Sequence, residues 1–149
     1  MRIKNFELND LLIKELGKFT VLWNLFERNY CDYNCNPDKI NEIGQNVFID
    51  EEKLRDLYRV INIRRIWFME TVEEYATISL HPENSRMSKE EFIGLIADFI
   101  AYKGDRLNVG CLLTILRIRN NLMHGLKIAE QLNDQHELFK AVNGVLESI

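Results

Sequence analysis

The 149-residue sequence is poor in the residues that form linkers and crosslinks: it has only two prolines, seven glycines and three cysteines. So few prolines and glycines leave little material for interdomain linkers. No apolar run approaches the ~20 residues that a membrane-spanning helix needs. Charged residues interrupt the N-terminal segment before it reaches the length of a signal peptide. We therefore expect one domain, 1–149, in the cytoplasm, with no membrane partner.

The three cysteines do not predict a crosslinked protein, because an odd and small number is not a disulfide framework. Cys31 and Cys35, in the segment CDYNC, have the spacing of half a metal site. No second pair of cysteines or histidines accompanies them at the spacing of zinc ligands. We expect unmodified loop cysteines, no metal and no cofactor.

The sequence also lacks an excess of basic residues: 19 lysines and arginines stand against 23 aspartates and glutamates, and the net charge of −4 is not that of a general nucleic-acid binder. Residues 101–130 nevertheless carry a local charge of +3, which leaves −7 for the rest of the chain. The charged residues of this zone are Lys103, Arg106, Arg117, Arg119 and Lys127, with Asp105 and Glu130. A local basic zone on an acidic protein favours a discrete anionic ligand over non-specific coating of DNA.

Apolar residues recur at helical spacing in five segments, and no alternating strand pattern bounded by turns is present. The segments are 9–30, beginning at Asn9 or Asp10; 49–80, beginning at Asp50; 88–103, with Ser88 and Glu91 as a capping box; 105–125, capped by Asp105 and ended by Gly125; and 128–146. Pro37 is placed to open one further short helix. The sequence therefore predicts an all-α bundle of four to five helices.

Two of these helices have distinctive apolar faces. The first carries the aromatic stripe Phe19, Trp23, Phe26 and Tyr30, which is typical of a core; a base-stacking surface is the alternative. The second carries two stripes: Leu54, Tyr58, Ile61, Phe68, Val72 and Tyr75 form one, and Val60, Ile63 and Trp67 form the other. We expect both faces of the second helix to be covered.

The segment LRIRNNLMHG, 116–125, places polar side chains at the end of an apolar helix, where they are unfavourable unless they are paired or used. Thr114, Arg117, Asn121 and His124 lie at i, i+3, i+7 and i+10, which is one stripe. Arg119 is five residues from His124, or about 140° around an unbroken helix. For both side chains to act on one ligand, the helix must loosen or end before His124.

The run Arg119-Asn120-Asn121-Leu122-Met123-His124 resembles the R-N-x-x-x-H motif of HEPN domains. The W-x-x-F-E segment from Trp23 to Glu27 also looks like that family, and the resemblance covers most of the chain. It implies a HEPN-like helical bundle that forms a homodimer. In such dimers the two motifs meet across the interface and form one composite cleft.

The resemblance implies a metal-independent endoribonuclease, as in toxin–antitoxin or phage-defence systems. Its substrate is RNA, whose 2′-hydroxyl is the nucleophile, and its products are a 2′,3′-cyclic phosphate and a 5′-hydroxyl. His124 is the expected general base or acid. Arg119 is expected to stabilise negative charge on phosphorus, and Asn120 to hold the histidine or a phosphate oxygen.

Four further residues are candidates for contact with the substrate or for support of the catalytic groups. Glu27 is either a partner of Arg119 or an ordinary surface glutamate, and Arg65 either contacts phosphate or extends along the apolar surface to solvent. Arg117 and Asn121 are the other two. His81 and His136 are expected to be solvated.

The alternative function is a non-catalytic module of the same fold that binds a nucleotide or a protein. Its partner could be an antitoxin or a nucleotidyltransferase. A related group of HEPN proteins carries a tyrosine two residues after the histidine, where this chain has Leu126. That difference weakens the version in which the partner modifies the tyrosine.

Overall fold

The computed structural model describes residues 2–3, 6–77, 86–124 and 133–149. Within those ranges the chain forms seven α-helices: α1 Asp10–Tyr30, α2 Pro37–Ile43, α3 Glu51–Trp67, α4 Val72–Thr77, α5 Lys89–Ala101, α6 Leu107–His124 and α7 His136–Ser148. Two 3₁₀ turns, Gly44–Asn46 and Asn133–Gln135, precede α3 and α7. A pair of two-residue antiparallel strands, β1 Arg2–Ile3 and β2 Phe6–Glu7, precedes α1. The all-α prediction is confirmed, although the helices are more numerous than expected.

The prediction of one long helix over 49–80 is wrong, because α3 ends at Trp67 and α4 begins at Val72, after four intervening residues. Met69 between them has a left-handed backbone, φ 55°, which no helix continues through. The hydroxyl of Thr71 accepts a hydrogen bond from the backbone N–H of Glu74 at 3.1 Å and caps α4. The missed signal is therefore the capping box TVEE. Residues 78–80 lie outside the described part.

Three of the predicted helix caps are confirmed and one is wrong. Asn9 caps α1 through its bond to the N–H of Leu11, Asp50 caps α3 through its bond to the N–H of Glu52, and Ser88 caps α5. Asp105 does not cap α6, because the first bond of that helix runs to the carbonyl of Arg106. The predicted end at Gly125 and the start of the last helix at 128 lie outside the described residues.

The helices enclose one apolar core in which α6 packs against α5 and α2, while α7 packs against α1 and α3. Of the aromatic stripe on α1, Phe19, Trp23 and Phe26 are buried as expected, whereas Tyr30 is exposed. The Phe19 ring contacts the Phe139 ring edge-on, with centroids 5.4 Å apart. These contacts identify the stripe as the core surface between α1 and α7.

One buried polar pair joins the same two helices. The side-chain amide of Asn143 on α7 donates to the backbone carbonyl of Glu15 at 2.9 Å and to its carboxylate at 2.8 Å. Both side chains are buried. Because a buried carboxylate is unfavourable without a donor, this pair fixes how α1 and α7 align.

Gly110 brings α6 against α5 at backbone distance. A Cβ atom at this position would lie 2.3 Å from the carbonyl oxygen of Leu95 and 2.9 Å from the Cβ of Phe99. Only glycine fits this contact, so Gly110 sets how deeply α6 sits in the bundle.

The expectation of unbonded loop cysteines is wrong for two of the three. Cys31 and Cys35 form a disulfide, and both are buried at the junction between α1 and α2. The loop between them closes because Asp32 and Tyr33 adopt left-handed backbones, with φ of 49° and 68°. Cys111 is a free thiol, fully buried within α6.

The C-terminal end of α3 and the turn after it leave a large apolar surface uncovered. Its residues, named here the α3 apolar patch, are Ile63, Ile66, Trp67, Phe68 and Met69. The second apolar face of this helix is therefore not covered within the chain at Ile63 and Trp67, whereas Val60 is partly buried against the core. Phe68 of the first stripe is also uncovered, because the helix ends before that residue and its ring is exposed.

No helix in the described ranges combines the length and the apolar character needed to cross a bilayer.

Candidate active site

The motif lies at the point where α6 leaves the core. Residues 109–118 are buried on every face of the helix, whereas 119–122 are only half-buried. Apolar residues dominate the buried part, and the hydroxyl of Thr114 within it donates to the carbonyl of Gly110 at 2.8 Å. The polar stripe predicted on α6 therefore begins inside the core and reaches solvent only in the last turns.

Arg119 and Asn120 lie side by side on that exposed end. The Nη1 atom of Arg119 donates a hydrogen bond to Oδ1 of Asn120 at 3.1 Å. Both residues are half-buried, and so is the neighbouring Asn121. A guanidinium held by an adjacent amide presents its remaining N–H groups in a fixed orientation, which suits an anionic oxygen.

An end of the helix before His124, the condition for Arg119 and His124 to act on one ligand, is not seen, since α6 continues to His124, its last described residue. The side chain of His124 lies outside the described part of the structure. Along an unbroken helix, positions 119 and 124 remain about 140° apart. For the side chains at positions 119 and 124 of one chain to reach the same ligand, the last turn of α6 must therefore open.

Arg117 is buried, with 7% of the residue exposed. Its guanidinium carbon lies 3.6 Å from the centroid of the Tyr75 ring, and Nη2 is 4.0 Å from Oε2 of Glu70. Its Nε is buried and has no hydrogen-bond partner among the described residues. The described contacts of Arg117 are thus internal: it joins α6 to α4 and to the turn that precedes α4.

Burial raises the pKa of Tyr75 above its usual value, and the guanidinium of Arg117 partly opposes this shift. Arg64 lies near the same ring, and desolvation lowers the pKa of its guanidinium. Its Nη1 donates to the carbonyl of Asp134 at 3.1 Å. Two cations therefore lie close to Tyr75, at the junction of α3, α4 and α6.

Arg65 is half-buried and stabilises the turn after α3. Its Nη1 donates to the carbonyl of Glu70 at 3.0 Å, and its Nη2 donates to Oδ1 of Asn62 at 3.3 Å. Glu70 thus accepts from Arg65 through its backbone and faces Arg117 through its carboxylate. Glu70 was not predicted from the sequence. The available signal was an acidic residue that lies, in the sequence, between two groups of arginines.

Glu27 is half-buried near the end of α1, where its carbonyl accepts from the N–H groups of Cys31 and Tyr33. Among the residues that are described, no hydrogen bond or ion pair joins Glu27 to Arg119. The structure brings together Arg119 and Asn120, and separately Arg65 and Arg117 through Glu70. It does not bring Glu27 to either group.

The basic zone of 101–130 is not one surface. Arg106 and Arg119 lie at opposite ends of α6, about 20 Å apart at 1.5 Å per residue. Arg106 is engaged with Asn41 and, at 3.5 Å, with Glu91. Lys127 lies outside the described residues. An anionic ligand at the motif therefore does not contact the basic residues at the N-terminal end of α6.

Of the other histidines, His136 at the start of α7 has its Nδ1 atom 3.3 Å from Oε1 of Glu137. His81 is outside the described ranges. Among the described residues, no three histidine, cysteine, aspartate or glutamate side chains are grouped so that they could hold a metal ion. The disulfide occupies the cysteine pair that had the spacing of half a zinc site.

Comparison of the chain with family models, with curated proteins and with solved structures finds no match in any of the three.

Proposed function

We propose that the protein is a metal-independent endoribonuclease of the HEPN type, acting as a homodimer in the cytoplasm. Its catalytic residues are Arg119, Asn120 and His124. Its biological role is that of a toxin or phage-defence effector held in check by a partner protein. The observation that carries the proposal is the R-N-x-x-x-H run on the last turns of a helix that is otherwise buried in an all-α bundle.

The reaction needs only the groups that this run supplies. The imidazole of His124 removes the proton of the 2′-hydroxyl, and the 2′-oxygen attacks the adjacent phosphorus. The bond to the 5′-oxygen breaks, that oxygen takes a proton from water while the imidazolium returns its proton to solvent, and the products are the cyclic phosphate and a 5′-hydroxyl. Arg119 stabilises the additional negative charge on the phosphoryl oxygens. Asn120, which accepts a bond from Arg119, orients that guanidinium.

The divergence of positions 119 and 124 on α6 favours two motifs that act together. Positions 119 and 124 diverge on one helix, so the imidazole from one copy and the guanidinium from the other are the pair expected to meet at a phosphate. This arrangement supports the composite cleft of a dimer. Arg65, Arg117 and Asn121 then act from behind the cleft, through contacts with protein groups.

The test is cleavage of a short fluorescent RNA in excess EDTA. Wild-type protein is expected to cut, whereas His124→Ala and Arg119→Ala each lose about 10²–10⁴-fold in rate, the usual contribution of such groups. His136→Ala is the matched control, because it removes a histidine outside the motif. An RNA with a single 2′-deoxynucleotide at the cleaved position is expected to resist.

Equal cleavage by wild type and His124→Ala contradicts the proposal, as does a requirement for a divalent metal. The melting temperature of each variant separates lost chemistry from lost folding. Cleavage that Arg119→Lys retains in full means that the planar donors of the guanidinium are not used.

The second candidate is a non-catalytic module of the same fold that binds a nucleotide or a protein. The observation that favours it is the α3 apolar patch, which exposes five large side chains. An inert protein that binds a separate partner tightly, such as an antitoxin or a nucleotidyltransferase, supports this candidate.

A further inference from the structure

The α3 apolar patch is larger than a lone protein usually exposes. Trp67 is 81% exposed and Met69 is 89% exposed, and the other three side chains are more than half exposed. At ~200 Å² for a large side chain, the five together present on the order of 700 Å². The largest apolar patch of a typical monomer is about 300–600 Å² and marks a binding surface.

We propose that the α3 apolar patch is the contact surface between two copies of this chain, related by a twofold axis that passes near Ile66 and Trp67. This proposal assigns a contact surface to the homodimer of the proposed function. Only the role given to the dimer rests on that function. Two such patches bury about 1,400 Å², within the range of about 1,200–2,000 Å² for specific interfaces.

The charges at the two ends of the patch suit contact with an identical copy. Arg59 is exposed one helical turn before Ile63. Beyond Met69, the first turn of α4 carries Glu73 and Glu74, both exposed. A twofold axis through the middle reverses the direction of the second patch. The basic end of each copy then faces the acidic end of the other, which favours this register over a parallel one.

The patch is also continuous with the arginine contacts behind the motif. Met69 is followed directly by Glu70, whose carbonyl binds Arg65 and whose carboxylate faces Arg117 on the motif helix. Burial of the patch against a second copy removes water from beside this cluster, which strengthens its charge interactions. Dimerisation therefore acts on α6 through Glu70.

The first test measures the mass of the protein by sedimentation over a range of concentrations. Wild type is expected to be a dimer, and Trp67→Glu is expected to raise the dimer Kd by about 100-fold, as for a central tryptophan. Trp67 contributes little to the core, so the variant is expected to fold. Phe48→Glu is the matched control, because Phe48 is 73% exposed and lies outside the patch.

The second test places a cysteine near the proposed axis. Under mild oxidation Trp67→Cys is expected to form a disulfide-linked dimer, because a residue near a twofold axis faces its own copy. Phe48→Cys is expected to stay unlinked. The native thiols do not interfere, since Cys31 and Cys35 are joined and Cys111 is fully buried.

A monomeric wild type overturns the proposal, including one that captures a different protein through the patch. A dimer that Trp67→Glu leaves intact also overturns it. A dimer that survives Trp67→Glu removes only this surface and leaves the dimeric ribonuclease standing, whereas a monomeric wild type removes the composite cleft as well. Loss of RNA cleavage with the dimer intact removes the ribonuclease and leaves the surface.

Discussion

Replacing Gly110 by alanine tests whether α6 owes its position to backbone contact with α5. The new methyl group would lie 2.3 Å from the carbonyl oxygen of Leu95, nearly 1 Å closer than atoms normally approach. The contacted atom is helix backbone, which cannot rotate away. Such overpacking typically destabilises by about 1–3 kcal/mol and sometimes by more.

Two terms act in opposite directions, and their sizes decide the sign. Alanine is favoured over glycine inside a helix by ~1 kcal/mol. We place the clash at the upper end of its range, because the Cβ of Phe99 also lies within 2.9 Å. The net loss is therefore about 2 kcal/mol or more, which lowers the melting temperature by roughly 4–8 °C in a domain of this size.

Gly94 supplies the matched control, because it lies within α5 and a Cβ there meets no atom within 4 Å in the part of the chain that is described. Gly94→Ala is expected to stabilise by about 0.5–1 kcal/mol through helix propensity alone. Chemical denaturation of both variants gives the two free energies of unfolding. If Gly110→Ala is as stable as Gly94→Ala, the close approach of α5 and α6 is incorrect.

Two further predictions concern buried polar groups. Asn143→Ala removes both donors from Glu15 and is expected to lower the free energy of unfolding by about 2–3 kcal/mol, whereas Asn24→Ala on exposed helix surface changes it by less than about 0.5 kcal/mol. Equal losses in denaturant titrations would show that the buried pair has no special role. Burial raises the pKa of Tyr75, so above the unfolded value of about 10 the unfolded chain releases a proton that the folded chain keeps. Stability is therefore expected to fall as pH rises past 10, by at most ~1.4 kcal/mol per pH unit. Tyr75→Phe should reduce that slope, and an unchanged slope refutes the assignment.

The fold could be predicted where a cap and an apolar period agree. Asn9 and Ser88 each precede a clear helical stripe, and both caps are observed. The break after Trp67 could not be found from periodicity, because apolar residues continue at helical spacing through it. Local capping by Thr71 and the left-handed Met69 override that period.

The disulfide was missed for a different reason. Spacing alone does not show that the chain folds back between Cys31 and Cys35. That reversal depends on two consecutive left-handed residues, Asp32 and Tyr33. Aspartate is often found in this conformation but a bulky tyrosine rarely is, so residue type does not predict the pair.

The candidate site was predictable in part. The position of Arg119 and Asn120 on the last turns of α6 follows from the sequence period, and the structure has them there. The burial of Arg117 does not follow, because a stripe gives only the face of its own helix. What covers that face is Tyr75, whose place depends on the turn between α3 and α4.

The complete burial of α6 over residues 109–118 has a consequence for any molecule that binds at its end. Packing on all sides immobilises the backbone from which Arg119 projects, so little conformational entropy remains to be lost when a ligand arrives. A recognition group mounted on a surface loop would have to be ordered at that moment. Here the backbone of 109–118 is ordered during folding, so the side chains at the helix end are what a ligand still has to order.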